Sequence, residues 1–161
     1  MPLILDAYNL LHAEKPDALA GLDEPTLCRV LDASPLARGG VTVVCDGRPK
    51  PHSLHPDALD QVDLRFSQDE SADAVIVRMV HQHSAPKSLT VVTDDRQIAA
   101  LIKRRKARYQ PCLAFLTTLA RLAPITPPTN RPSKLKPYVD SLGEAQTRAW
   151  LKAFGLDEHA D

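Results

Sequence analysis

Brief apolar runs alternate with longer amphipathic stretches along most of the chain. Pro2 to Leu5, Val41 to Cys45 and Leu89 to Thr93 are too short for helices, and their near-unbroken hydrophobicity predicts buried strands. Each run stops on a carboxylate: Asp6, Asp46, or the pair Asp94-Asp95. Gln61 to Phe66 alternates polar and apolar residues, which predicts a strand nearer the sheet edge. Helical spacing fills the intervals. Tyr8 to about Ala20 predicts a short helix and a loop broken at Pro16. A second helix opens at Asp23-Glu24-Pro25, turns Leu27, Val30 and Leu31 inward, and ends before Pro35 and the Gly39-Gly40 turn. Arg48 to Pro56, rich in proline and basic residues, is an exposed loop. Acidic residues from Asp69 to Asp73 lead into a helix carrying Ala74, Val75, Val77, Met79 and Val80. Arg96 to Lys106 predicts a helix with Ile98, Ala99, Leu101 and Ile102 inward, Tyr109 a last short strand, and Phe115 to Leu122 a further helix.

Strands alternating with helices define an α/β domain whose mainly parallel sheet is covered on both faces. Right-handed crossovers place the strand C-termini along one edge, where such sheets bind ligands. Asp6, Asp46 and Asp94/Asp95 therefore converge, and Glu70 and Asp73, at the start of the helix after another strand, join them. The domain spans residues 1–123. Five prolines between Pro124 and Pro137, with Arg131, Lys134 and Lys136, make residues 124–140 a basic linker. Residues 141–161 predict a C-terminal helix, opened by the capping-box spacing of Ser141 and Glu144, that docks in cis or recruits a partner.

Charge changes the picture more than composition does. The net charge is zero, yet residues 1–100 hold 15 acidic and 9 basic side chains while residues 101–161 hold 5 and 11. An acidic part suited to a cation, joined to a basic part suited to a polyanion, is the layout of a metal-dependent enzyme acting on nucleic acid. Lys103, Arg104, Arg105, Arg48 and Lys50 are the candidate RNA contacts, although the run from Lys103 to Lys106 also reads as a solvated helix face. Cys28, Cys45 and Cys112 lie far apart in apolar contexts and read as buried thiols. No run approaches the roughly 18 apolar residues of a membrane span, and the N-terminus lacks a signal-peptide layout, so a cytoplasmic protein is expected.

Clustered carboxylates repel one another and are stable in ionised form mainly around a cation. Oxygen-only donors select Mg2+ or Mn2+ and no Cys/His spacing supports zinc, so metal-assisted phosphodiester hydrolysis is the chemistry indicated. Each residue alone has a plainer reading. Asp6 serves equally as a helix cap, Asp46 before Gly47 as a turn residue, Asp69 as a solvated or capping group, and Glu70 and Asp73 as helix-dipole partners. One of Asp94 and Asp95 is expected to cap the helix after them. Asn9 either orients a water or phosphate or caps the first helix, and Tyr8 reads as packing.

The motifs also resemble a family. Ile4-Leu5-Asp6-Ala7-Tyr8-Asn9 is similar to the opening I-D-G-Y-N motif of NYN domains, with Ala7 in place of the glycine. Glu70-Ser71-Ala72-Asp73 and Val91-Val92-Thr93-Asp94-Asp95-Arg96 resemble the later acidic motifs of the YacP-like branch, with Asp94 where Ser or Asn is usual. The resemblance covers roughly residues 1–120 and implies a PIN-like three-layer α/β/α sandwich, divalent metal, and endoribonuclease activity on messenger or ribosome-associated RNA. It carries metal-binding roles to Asp6, Asp73 and Asp95, with Glu70 in the cluster and Asn9 supporting it; Asp95 is preferred to Asp94 because it directly precedes the arginine.

Two other readings compete. One is an RNA-binding or adaptor protein that kept the fold and lost turnover. The other is a small-molecule phosphohydrolase of the haloacid-dehalogenase kind, which needs a second aspartate where this chain has Tyr8.

Overall fold

The computed structural model describes residues 1–122, and the linker and C-terminal helix expected beyond them lie outside the described residues. Five strands form one sheet: β1 (Leu3–Asp6), β2 (Val41–Cys45), β3 (Val62–Phe66), β4 (Thr90–Val92) and β5 (Arg108–Gln110). Their order is β3-β2-β1-β4-β5, and every pairing is parallel. The chain builds outward from β1 to one side, returns to β4, and builds to the other. The order thus reverses beside β1, between β1 and β4.

Five helices cover the faces: α1 (Ala7–His12), α2 (Glu24–Asp32), α3 (Ala72–Gln82), α4 (Arg96–Arg104) and α5 (Cys112–Leu122). Alternation along each strand feeds two separate cores. Leu5, Val43 and Val92 join Leu10, Leu27, Leu31, Phe115 and Leu119 on one face, under α1, α2 and α5. Ile4, Val44 and Val91 join Ile76, Val80, Ile98 and Ile102 on the other, under α3 and α4. The sheet is covered on both faces, as the alternation implied, and forms the three-layer α/β/α sandwich that the family resemblance implied. β3 lies at the sheet edge, as its half-polar pattern required, with Asp63 and Arg65 outward and ion-paired at 2.7 Å. All three cysteines are buried free thiols, and burial pushes the Cys28 thiol up to about 12, so it stays protonated.

Two elements differ from the pattern reading. The last helix begins at Cys112 rather than near Phe115, because the Asp94 carboxylate accepts the Cys112 amide at 3.0 Å and caps its first turn. Glu70 precedes α3 instead of lying in it: Ser71 is the N-cap, accepting the Ala74 amide at 3.2 Å. Among the described residues no helix is long and apolar enough to cross a membrane.

Candidate functional site

Parallel strands joined by helices send every helix N-terminus toward the C-terminal edge of the sheet. Amide groups unpartnered at those termini need acceptors, and carboxylates supply them. Asp6 is the deepest. Its side chain is 1% exposed, accepting the Asn9 amide on Oδ1 at 3.1 Å, and on Oδ2 the Asn9 Nδ2 at 2.5 Å and the Thr93 hydroxyl at 3.0 Å. Three donors compensate the burial of the charge. Asp6, not Asn9, therefore caps α1, while the Asn9 side chain fixes the rotamer of the Asp6 carboxylate.

Thr93 links two acidic residues through one hydroxyl. Fully buried, it donates to Asp6 and accepts the Asp95 amide at 3.1 Å. Asp95 caps α4, accepting the Gln97 and Ile98 amides on Oδ1 at 2.6 and 3.0 Å, and among the described residues no backbone donor reaches Oδ2. Asp94 turns away to α5. The two neighbours thus divide, one capping the following helix and the other a helix beginning 18 residues on.

Asp46 is held differently. Its Oδ1 accepts the Ala72 amide at 3.0 Å and lies 3.3 Å from the Ser67 hydroxyl, which also donates to the Glu70 carbonyl at 2.9 Å and accepts the Gly47 amide at 2.8 Å. Gly47, at φ +75°, and Gln68, at φ +61°, make the tight turns that bring these two loops together. Asp73 follows in the first turn of α3, and among the described residues no hydrogen bond claims its carboxylate. Its pKa is raised, first by partial burial and then by the charges of Asp6, Asp95 and Asp46. Four carboxylates from three strand ends and one helix start therefore share one field.

Glu70 does not face them. Its carboxylate pairs with Arg78 at 2.5 Å, in a shallow cleft of about 450 Å³ that Arg65, Phe66 and Gln68 also line. Arg48 and Lys50 leave the same sheet edge on the loop after β2, Arg48 paired with Asp69 at 2.8 Å. Lys103, Arg104 and Arg105 end α4 and therefore lie toward the opposite edge, about 13 Å along the helix from Asp95. Lys103 sits 5.5 Å from the Tyr109 ring centre, and Arg105 donates to the His81 carbonyl at 2.9 Å. Tyr8, read as packing, is exposed on α1. Thr93 and Ser67 escaped the sequence reading because a hydroxyl at a strand end carries no pattern of its own.

The donor chemistry fits a hard divalent cation: carboxylate oxygens only, mutually repelling, two of them already oriented. Among the described residues no group of three or more His, Cys, Asp or Glu side chains stands close enough to hold a metal ion, so a cation would have to draw in the exposed Asp73 and Asp46.

An all-parallel sheet with an acidic C-terminal edge beside its strand-order reversal is an α/β architecture of the kind PIN-like nucleases share. Within it, the chain belongs to the YacP-like NYN domain family, which it matches over residues 3–127. The fold is similar to a crystal structure of a point mutant of Rae1 (YacP) from Bacillus subtilis, with a TM-score of 0.53 and 21% identity over 75% of this chain and 77% of that one. Among curated proteins none matches the chain.

Proposed function

We propose that the chain is a metal-dependent endoribonuclease that hydrolyses RNA phosphodiester bonds at the C-terminal edge of the sheet. The observation that carries this reading is the gathering of Asp6, Asp46, Asp73 and Asp95 at that edge, where partial burial and then the charges of Asp6, Asp95 and Asp46 raise the Asp73 pKa. Repulsion of that kind is relieved when a cation joins the cluster. Mg2+ or Mn2+ would be held by Asp6, Asp73 and Asp95, with Asp46 beside them. Bound there, such an ion would lower the pKa of water and offset charge on a phosphodiester.

The protein's own part is preorganisation. Asn9 and Thr93 hold Asp6, while Thr93 and the first turn of α4 hold Asp95, so these carboxylates lose little freedom on binding. Asp73 supplies the adjustable donor. Glu70, engaged by Arg78, belongs to the rim of the site. Asp94 is a structural cap. Lys50, and Arg48 on exchanging Asp69 for a phosphate, would meet the RNA backbone near the site, whereas Lys103, Arg104 and Arg105 would touch it only at a distance. Cytoplasmic RNA, ribosome-associated RNA included, is the substrate pool this reading names.

The test is cleavage of single-stranded and structured RNA by the full chain in Mg2+, Mn2+ or EDTA. Asp6→Asn should lower the metal-stimulated rate by at least about a hundredfold. Equal rates for the parent, Asp6→Asn and Asp73→Asn proteins in Mn2+ would sink the assignment. RNA retained in a gel shift without metal-stimulated cleavage would point to the adaptor reading.

A further inference from the structure

We propose that Tyr8, backed by His12, is the stacking platform for a nucleobase of single-stranded RNA beside the scissile phosphate. The inference rests on the nuclease reading and names what that site grips besides a phosphate. Four large hydrophobic side chains stand exposed among the described residues: Met1, Tyr8, Leu113 and Leu122. Tyr8 and Leu113 are the two that follow directly on the C-terminal ends of strands, β1 and β5, at the edge where the carboxylates gather. Tyr8 is the larger, 60% exposed, two residues past Asp6 and next to Asn9.

Its ring is not loose. The His12 imidazole stacks on one face, with centroids 4.1 Å apart and planes 29° from parallel. His12 Nδ1 in turn donates to the Tyr8 carbonyl at 2.7 Å, locking the imidazole one helical turn below. One face of the phenol is thus occupied and the ring held, while the rest lies open to solvent. A prefixed aromatic surface binds a flat partner at low entropic cost.

Charge selects the partner. At this edge the carboxylates repel phosphates wherever no cation intervenes, and the arginines around the loop between β3 and α3 are committed: Arg48 to Asp69, Arg65 to Asp63 and Arg78 to Glu70. Stacking on a base therefore adds a grip near the cut that the repelling carboxylates and these paired arginines do not supply. Every base has a π face, so stacking holds RNA without reading its sequence. A paired base has its faces covered by its neighbours, which makes the platform selective for unstacked, single-stranded RNA.

The experiment uses a short end-labelled single-stranded RNA with one mapped cut, its abasic derivatives at each flanking nucleotide, and the full chain in Mn2+. Tyr8→Ala should raise KM about tenfold and change kcat less than about twofold, and Tyr8→Phe and Tyr8→Trp should restore KM. One abasic position should raise the parent's KM by the same factor and leave Tyr8→Ala unaffected. An unchanged KM in Tyr8→Ala, failure of both aromatic variants to restore it, or additivity at every abasic position overturns the platform. If the parent cleaves nothing in any metal, the nuclease reading fails by itself. Fluorescence anisotropy with the same RNAs then decides the platform: weaker binding by Tyr8→Ala alone supports it, and equal binding by all variants overturns it.

Discussion

The two edges of this sheet carry opposite chemistry from the same strands. At the C-terminal edge Asp6, Asp46, Asp94 and Asp95 meet the starts of helices, where amide groups and the positive end of the dipole favour anions. At the N-terminal edge α4 ends in Lys103 and Arg104, followed by Arg105 and Lys106, where exposed carbonyls favour cations. A parallel sheet sorts charge by direction.

Asp32 and Asp6 show that edge matters more than residue type. Asp32, at the C-terminal end of α2, accepts the amides of Asp60, Gln61 and Val62 at 3.3, 2.7 and 3.1 Å. All three donors are backbone groups of one segment entering β3, so Asp32 is a staple for the edge strand. Asp6 shares Thr93 with Asp95 and a field with Asp73. A carboxylate becomes part of a site when its partners lead to other carboxylates.

That contrast can be broken most directly at Thr93. Thr93→Val removes the donor to Asp6 and the acceptor for Asp95, and should lower metal-stimulated cleavage roughly tenfold or more, with metal affinity falling in step by calorimetry. Cleavage at the parental rate would mean that the hydroxyl couples nothing. Asp32→Ala should cost about 2 kcal/mol of stability in urea unfolding, while cleavage well below the melting point stays parental. Loss of cleavage in a fully folded Asp32→Ala protein would erase the distinction between staple and site.

Asp73 sharpens the contrast through pH. Its raised pKa means the folded chain holds this proton to higher pH than the unfolded chain does. Stability therefore declines as pH rises from the ordinary carboxylate value through the raised one, and above it the ionised group weighs on the fold in full. Asp73→Asn should melt higher than the parent at neutral pH without metal, the gap closing in acid, and should gain less from Mn2+. A lower melting point at neutral pH in EDTA would contradict the repulsion. The smallest effect belongs to the far edge: Lys103→Ala with Arg104→Ala should weaken RNA binding by less than about threefold and reduce the salt slope by roughly one. A loss as large as that of Thr93→Val would put the RNA path across both edges.

Much of this was readable in the chain because the controlling interactions are local. β2 occupies Val41–Cys45 as its apolar run dictates, and α2 opens at Asp23, whose carboxylate accepts the Thr26 amide three residues on at 2.9 Å. The convergence of acidic strand ends followed from parallel topology alone. The start of α5 did not, because its cap, Asp94, lies across the sheet edge from Cys112. Glu70 and Asp73 have the spacing of a shared helical face, but the turn at Gln68 and the reach of Arg78 separate them.

The sequence by itself determined the α/β alternation, the strands and their acidic ends, since hydrophobic period and capping are properties of a few neighbouring residues. Only the tertiary structure decided which carboxylates share one field, which hydroxyl joins Asp6 to Asp95, and that Tyr8 faces solvent. Those outcomes depend on which loop ends meet across the sheet, and residues as far apart as Asp6 and Thr93 meet only once the strands between them have paired.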